Sequence, residues 1–186
     1  MRTVSWLAIV VLLQGVTMLG CTTAAKEVVG VATGAKGVYA PIVAVSADQS
    51  AKPLGQYRKF ELGAVTDDFG GNVPGDLISH LRQAFPEAIA NAKLPNEPGG
   101  KTLLVRGRIL HYEDADTLGI AIGPLEEVVA RLEMVDKDSG QVLAQANCIG
   151  RTTTRTTLGV ANKGRGLAKA IASWIDNRYP EQGRPE

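Results

Sequence analysis

The amino-acid sequence predicts an α+β domain in which a largely antiparallel sheet carries helices on one face. Two segments of alternating apolar and polar residues, 101–112 and 128–135, indicate half-buried strands. A turn sequence at 136–140 joins the second of them to a third strand-like segment, which indicates a hairpin. A strand and a helix are indicated before this group and another helix after it, so the predicted order is β-α-β-β-β-α.

The first predicted strand and helix lie between residues 57 and 88. The segment YRKFELGAV, which begins at Tyr57, places apolar residues among charged ones, as expected for a strand. After a loop with a Gly-Gly pair, five apolar residues recur at helical spacing: Leu77, Leu81, Ala84, Phe85 and Ala88. Pro86 lies inside this pattern, and we expect it to kink or restart the helix because proline donates no backbone hydrogen bond.

The second predicted strand, KTLLVRGRILHY, covers Lys101–Tyr112 and alternates well. Since successive side chains of a strand point to opposite faces, four residues are expected on one side: Leu103, Val105, Ile109 and His111. The other side carries Leu104, Arg106, Arg108 and Leu110. The strand therefore has one basic-tipped face.

The next strand is predicted at Val128–Val135, and the turn DKDSG leads into a return strand at Gln141–Thr154. The last helix is indicated by apolar residues at helical spacing: Leu167, Ile171, Trp174 and Ile175. Cys148 lies within the return strand, and we expect it to be a small buried hydrophobic residue.

The N-terminal segment indicates export and lipidation. After Arg2, Val4–Val16 is an uncharged, mainly apolar run that is shorter than the roughly 20 residues of a membrane-spanning helix. Its length is typical of the hydrophobic region of a signal peptide, although an uncleaved signal anchor is the alternative. The residues that follow resemble the lipobox of bacterial lipoproteins: Met18, Leu19, Gly20 and Cys21.

The lipobox resemblance implies that the thiol of Cys21 receives a diacylglycerol and that the chain is cut before this residue. Acylation of the new amino group, for example with palmitate, would complete an anchor of two or three chains, which holds a protein stably at a membrane. Thr22 is not an aspartate, and by the same resemblance this favours the periplasmic leaflet of the outer membrane in a Gram-negative cell.

The sequence is therefore divided into four parts. Residues 1–20 are expected to be a lipoprotein signal peptide, and 21–55 the lipidated cysteine with a flexible tether rich in small residues. Residues 56–180 form the single α+β domain, and 181–186 are expected to be a disordered tail. Within the tether, Ile42–Val45 has the composition of a short strand, and docking of part of the tether onto the domain is the alternative.

Composition and motifs argue against several functional classes. With 20 basic and 19 acidic residues and 5% aromatic residues, the chain has no general attraction for nucleic acid, and we expect no nucleic-acid partner. No GxSxG or SxxK pattern occurs, and His80 and His111 are too few for a convincing metal or acid–base centre. We therefore expect no catalytic residue, no cofactor and no bound metal.

A loop at Asp114–Glu127 partly resembles a calcium-binding loop, since Asp114, Asp116 and Gly119 fall at suitable positions. Leu118 and Leu125 stand where oxygen ligands are needed, so a solvated loop between strands is the better interpretation.

Four basic residues precede the predicted last helix and are candidate contacts for an anion or a partner: Arg151, Arg155, Lys163 and Arg165. Helix N-termini attract anions, and glycines lie among these residues. The spacing does not match a phosphate-binding P-loop. The alternative is that the glycines let the last helix pack closely on the sheet.

From Tyr57 onward the chain resembles the bacterial lipoprotein family called domain of unknown function 4410. The resemblance rests on the segments LLVRGRILHYEDAD, VDKDSGQVLAQ and GVANKGRGLAKAIASWI. That family has no established catalytic residues, so the resemblance implies none here. Together these observations predict a lipid-anchored, periplasm-facing and non-catalytic binding or assembly module with an envelope protein as partner. A hydrolase-like envelope enzyme, with a site that sequence spacing does not reveal, is the alternative.

Overall fold

The computed structural model describes residues 34–45, 51–68, 73–114, 126–152, 159–182 and 184–185. Five strands are present: β1 at Ala35–Val43, β2 at Tyr57–Asp67, β3 at Lys101–Glu113, β4 at Glu127–Asp136 and β5 at Val142–Thr152. The helices are α1 at Leu77–Asn91, α2 at Val160–Asp176 and a short 3-10 helix at Pro53–Gln56. The lipobox with Cys21, and Arg155, lie outside the described residues.

The strands form one sheet in the order β1-β5-β4-β3-β2. All neighbours are antiparallel except β2 and β3, which are parallel. Helix α1 lies between β2 and β3 in the chain and supplies the crossover that a parallel pair requires. The predicted α+β class is therefore confirmed.

The core lies between one face of the sheet and the two helices α1 and α2. Alternate residues of the central strand β4 are fully buried on that face: Val128, Ala130, Leu132 and Met134. The neighbouring strand β5 buries Ala144, Ala146 and Cys148 in the same way. Cys148 is thus the small buried residue that the sequence predicted, and its burial raises the pKa of its thiol to about 12.

Strand β1 differs from the flexible tether expected over residues 21–55. It pairs with β5 from Ala35, opposite Thr152, to Val43, opposite Gln145, and so forms one edge of the sheet. The register shifts once, between Pro41 and Val43, which is typical of an edge strand because proline donates no ladder hydrogen bond. For residues 35–43, docking onto the domain is therefore the correct alternative.

Glycines allow helix α2 to lie directly on the backbone of β1 and β5. A Cβ atom at Gly37 would come within 2.3 Å of the backbone of Ala170 and Gly166, and one at Gly150 within 2.4 Å of the carbonyl oxygen of Lys163. These distances agree with the alternative to anion binding, in which glycines let the last helix pack closely on the sheet. Because α2 begins at Val160, Gly166 lies inside the helix and not in a loop before it.

Strand β3 contains a bulge that changes which side chains face the helices. Ile109 pairs with Ala130, but His111 pairs with Val129, so Leu110 is an extra residue in β3. The predicted alternation is therefore wrong after Ile109. His111 lies on the polar face of the sheet, and Tyr112, opposite buried Val128, lies on the face that packs against the helices.

Two further expectations differ from the structure. Helix α1 runs as one element through Pro86, so the helix does not restart there. Pro86 is exposed, and the carbonyl group that it leaves without an N–H partner is open to water. Arg184, in the segment expected to be a disordered tail, donates hydrogen bonds to the side chain of Asp176 at 2.6 Å and to the carbonyl oxygen of Ala92 at 2.9 Å.

Candidate functional site

The two ends of the sheet each carry a cluster of charged residues. At one end, which we call the "Lys163 end", β1 begins at Ala35 and β4 begins at Glu127. At the same end, β3 ends at Glu113 and β5 ends at Thr152. At the opposite end, which we call the "Asp136 end", β2 begins at Tyr57, β3 at Lys101 and β5 at Val142. β4 ends there at Asp136.

Lys163 has no solvent-exposed surface and is surrounded by acceptors. Its Nζ atom donates to Asp114 Oδ1 at 2.6 Å and to the carbonyl oxygen of Glu113 at 2.9 Å, and it lies 3.7 Å from Glu126 Oε2. The same atom is 3.9 Å from the centre of the Tyr112 ring, a cation–π contact. A buried ammonium is therefore neutralised by two carboxylates and an aromatic face.

The carboxylate of Glu126 also occupies the position that an external anion would take at helix α2. Its Oε2 atom accepts a hydrogen bond of 2.7 Å from the backbone N–H of Gly159, the residue before the helix. Negative charge is stabilised at a helix N-terminus by the helix dipole. The candidate anion position at this helix terminus is thus occupied by a side chain of the protein itself.

These contacts shift the pKa values of two groups in the Lys163 cluster, Asp114 and Tyr112. The hydrogen bond from Lys163 holds the pKa of Asp114 below its usual value, and a second one from Tyr112 acts in the same direction. Burial raises the pKa of Tyr112, and its hydrogen bond to Asp114 raises it further. Asp114 is therefore kept as a carboxylate and Tyr112 as a neutral phenol. The cluster also connects residues 114 and 126 to the start of helix α2.

The described basic candidates do not converge on one surface. Lys163 donates to internal acceptors, whereas Arg151 lies in the polar face of the sheet, where its Nε atom is 2.5 Å from Glu127 Oε2. Arg165 is exposed on α2 and donates to Asn162 Oδ1 at 3.0 Å. Of the described candidates, Arg165 has the most open side chain, and the prediction for Arg155 remains a prediction.

The Asp136 end is built around a buried carboxylate. Asp136 Oδ2 is 2.6 Å from Lys101 Nζ and accepts a hydrogen bond of 2.8 Å from the hydroxyl of Tyr57. Its Oδ1 atom accepts from the backbone N–H groups of Asp138 and Ser139. These donors, that of Lys101 above all, hold the pKa of Asp136 well below its usual range.

Sequence reasoning missed the partners of both clusters. The DKDSG motif indicated a turn, and an aspartate that begins a turn often accepts backbone hydrogen bonds, which was the available signal for Asp136. Nothing in the sequence linked Lys163 to Asp114 and Glu126, which are distant along the chain.

The polar face of the sheet carries cross-strand pairs of charged residues. Arg106 and Glu133 lie opposite each other with Nε 3.3 Å from Oε2. Arg108, opposite Arg131, reaches Asp68 at 3.2 Å instead, and Arg131 donates to Asn147. The basic-tipped face predicted for this strand is thus present and balanced by neighbouring acceptors.

The large exposed apolar residues of the described chain lie on β1 and β5: Val38, Ile42, Val43 and Val142. Ile42, Val43 and Val142 lie towards the Asp136 end. We refer to these three residues as the apolar patch.

Among the described residues, no group of three or more histidine, cysteine or acidic side chains is arranged to hold a metal ion. The two histidines each lie 3.6 Å from a carboxylate, His80 from Asp76 and His111 from Glu113. No helix in the described ranges has the length and apolar character needed to span a membrane.

A comparison with solved structures shows that the fold of this chain is similar to that of known proteins. No protein-family model and no curated protein matches the chain. Two structures of the PelC dodecamer from Paraburkholderia phytofirmans, one of a single-residue variant, are similar with TM-scores of 0.50 and 0.51 at 12% and 11% identity. Each likeness covers 78% of this chain and 99% of the PelC chain, and at such identity it shows a shared fold alone.

A minor lipoprotein from Acinetobacter baumannii also matches, with a TM-score of 0.36, 14% identity, and 64% and 93% of the two chains covered. A TM-score of this size carries no argument about the present chain. The resemblance to domain of unknown function 4410 likewise has no matching family model behind it.

Proposed function

We propose that this chain is a lipid-anchored cell-envelope protein whose α+β domain is a non-catalytic binding or assembly module facing the periplasm. The observation that carries the proposal is the sequence Met18-Leu19-Gly20-Cys21 directly after a short apolar run. The anchor is Cys21 with its acyl chains, and the membrane is the outer membrane of a Gram-negative cell on its periplasmic side.

Three acidic residues that are paired with lysines are poorly suited to be the general acid of the hydrolase-like alternative. A general acid needs a carboxyl group with a raised pKa. Asp114, Asp136 and Glu61 all have lowered pKa values, in each case because a lysine donates a hydrogen bond to the carboxylate. These groups hold the fold together as anions and are poor proton donors near neutral pH.

The apolar patch supports an assembly role. Exposed Ile42 and Val43 lie on edge strand β1 and exposed Val142 lies at the start of β5, and exposed apolar groups on an edge strand are sites at which chains associate. The PelC protein of similar fold is a dodecamer. A second copy of this chain is therefore the first partner to test.

The experiment compares the full-length protein with two cysteine variants expressed in a Gram-negative host. Cys21→Ser should abolish incorporation of an alkyne-labelled palmitate and release the protein from the membrane fraction. Cys148→Ser is the matched control, because this residue is buried and we expect it to leave labelling and attachment unchanged. Crosslinking the same membranes should give species heavier than one chain.

Unchanged fractionation of Cys21→Ser would exclude the anchor. Recovery of only single chains under several growth conditions would count against the binding or assembly role.

A further inference from the structure

Strand β1 fixes the point at which the folded domain is attached to its anchor. Its first residue, Ala35, is fully buried, and its carbonyl oxygen accepts a hydrogen bond of 3.1 Å from Lys169 Nζ of helix α2. Gly37, two residues later, lies against the backbone of the same helix. The domain therefore begins at about residue 34, at the Lys163 end, and not at residue 56.

The remaining connection to Cys21 is short. Residues 22–33 number twelve, and in any backbone conformation they span at most about 43 Å, because each residue adds no more than about 3.6 Å. β1 itself has nine residues and is about 30 Å long. It runs from the Lys163 end towards the Asp136 end, so it carries the chain away from the anchor.

These two lengths favour one orientation at a membrane. With the Lys163 end towards the lipid, the twelve residues need not be extended at all. With the Asp136 end towards the lipid, they must first cover the length of β1, about 30 Å, which is roughly 70% of their maximum span. Extension removes backbone conformations and costs free energy.

We infer that the domain faces the lipid surface with its Lys163 end and presents the Asp136 end, including the apolar patch, away from it. This inference rests on the proposed anchor at Cys21. The inference also specifies which surface the proposed binding role would use, because a partner in the periplasm would first contact Ile42, Val43 and Val142.

The test uses the full-length, lipidated protein reconstituted into vesicles of phosphatidylethanolamine and phosphatidylglycerol that contain a nitroxide-labelled lipid. A fluorophore is attached to Glu113→Cys at the Lys163 end or to Asp138→Cys in the turn at the Asp136 end. Both positions are exposed, whereas Cys148 is buried and Cys21 carries lipid. We expect several-fold stronger quenching at position 113 than at position 138.

Tether length supplies the control. A variant in which residues 22–33 are duplicated should lose most of the contrast between the two positions, because the longer connection no longer restricts rotation. Equal or stronger quenching at position 138 in the unmodified protein, or a contrast that the duplication leaves unchanged, would overturn the inference. Flotation of the same vesicles separates the two proposals: protein that does not float refutes the anchor and with it the orientation, whereas floating protein with equal quenching refutes the orientation alone.

Discussion

The two ends of the sheet use the same three residue types in opposite ways. At each end a lysine lies 2.6 Å from an aspartate that also accepts a tyrosine hydrogen bond of 2.8 Å, and the lysine is near the ring of that tyrosine. At the Lys163 end the lysine side chain is 0% exposed and Asp114 is 70% exposed. At the Asp136 end the aspartate side chain is 5% exposed and Lys101 is 37% exposed.

This difference shows that the buried member of a charged pair determines which hydrogen-bond partners surround it. Buried Lys163 gathers acceptors from Asp114, Glu113 and Glu126. Buried Asp136 gathers donors from the turn that follows it, as well as from Tyr57 and Lys101. Since a buried charge without partners is costly, the cost of removing one member of a pair should depend on how many other partners the remaining buried charge keeps.

The largest effect is expected from Lys163→Met, which removes the buried cation and leaves the carboxylate of Glu126 without its ammonium neighbour. Breaking a buried ion pair from one side typically costs about 3–5 kcal/mol, and we expect a loss of unfolding free energy in this range. Urea denaturation followed by circular dichroism measures it.

Lys101→Met is the matched control for this change. It removes the exposed member of the other pair, and Asp136 keeps its tyrosine and backbone donors, so the loss should be clearly smaller. A loss equal to that of Lys163→Met would show that these remaining donors do not compensate for the missing ammonium.

An intermediate effect is expected in the acid range from Asp136→Asn. Because the folded pKa of Asp136 lies below the usual value near 4, its contribution to stability is present above about pH 4 and is lost as the pH falls further. The variant should therefore show a shallower fall of unfolding free energy between about pH 5 and pH 2. Asp138→Asn, an exposed neighbour in the same turn, is the control and should keep the slope of the unmodified protein.

The smallest effect is expected from the two tyrosines. Tyr57→Phe removes a donor to a buried carboxylate and should cost about 1.5–3 kcal/mol, as expected for a hydrogen bond to a charged group. Tyr112→Phe should cost less, because water can replace its hydroxyl at exposed Asp114. Thermal unfolding of both variants measures the difference, and the reverse order would show that exposure does not decide these contributions.

Periodicity predicted the elements whose burial follows a regular pattern. The central strands β3 and β4, the hairpin into β5 and both helices could be predicted because one face of each is buried by its neighbours. β1 was missed as a full strand because its sequence, AKGVYAPIV, has no clear alternation. Gly37 is required there by the close approach of α2, which is a tertiary contact that a local pattern does not contain.

The candidate site was harder to predict for the same reason. Lys163 was grouped with Arg151, Arg155 and Arg165 because the sequence displays charges without their partners. A one-residue bulge at Leu110 then moved Tyr112 to the helix side of the sheet, where its ring contacts Lys163. Alternation alone cannot locate a bulge, since the extra residue is defined by the register of the neighbouring strand.

The pairing of β1 with β5 also determines the order in which the sheet can be completed. Of the described strands, β1 is the first along the chain, but its neighbour in the sheet is the last of them, β5 at Val142–Thr152. In a chain that emerges from a ribosome or an export channel with its N-terminus first, β1 is available early and has no partner in the sheet until more than three quarters of the whole chain has emerged. The attachment of the domain to its short N-terminal connection is therefore among the last contacts to form.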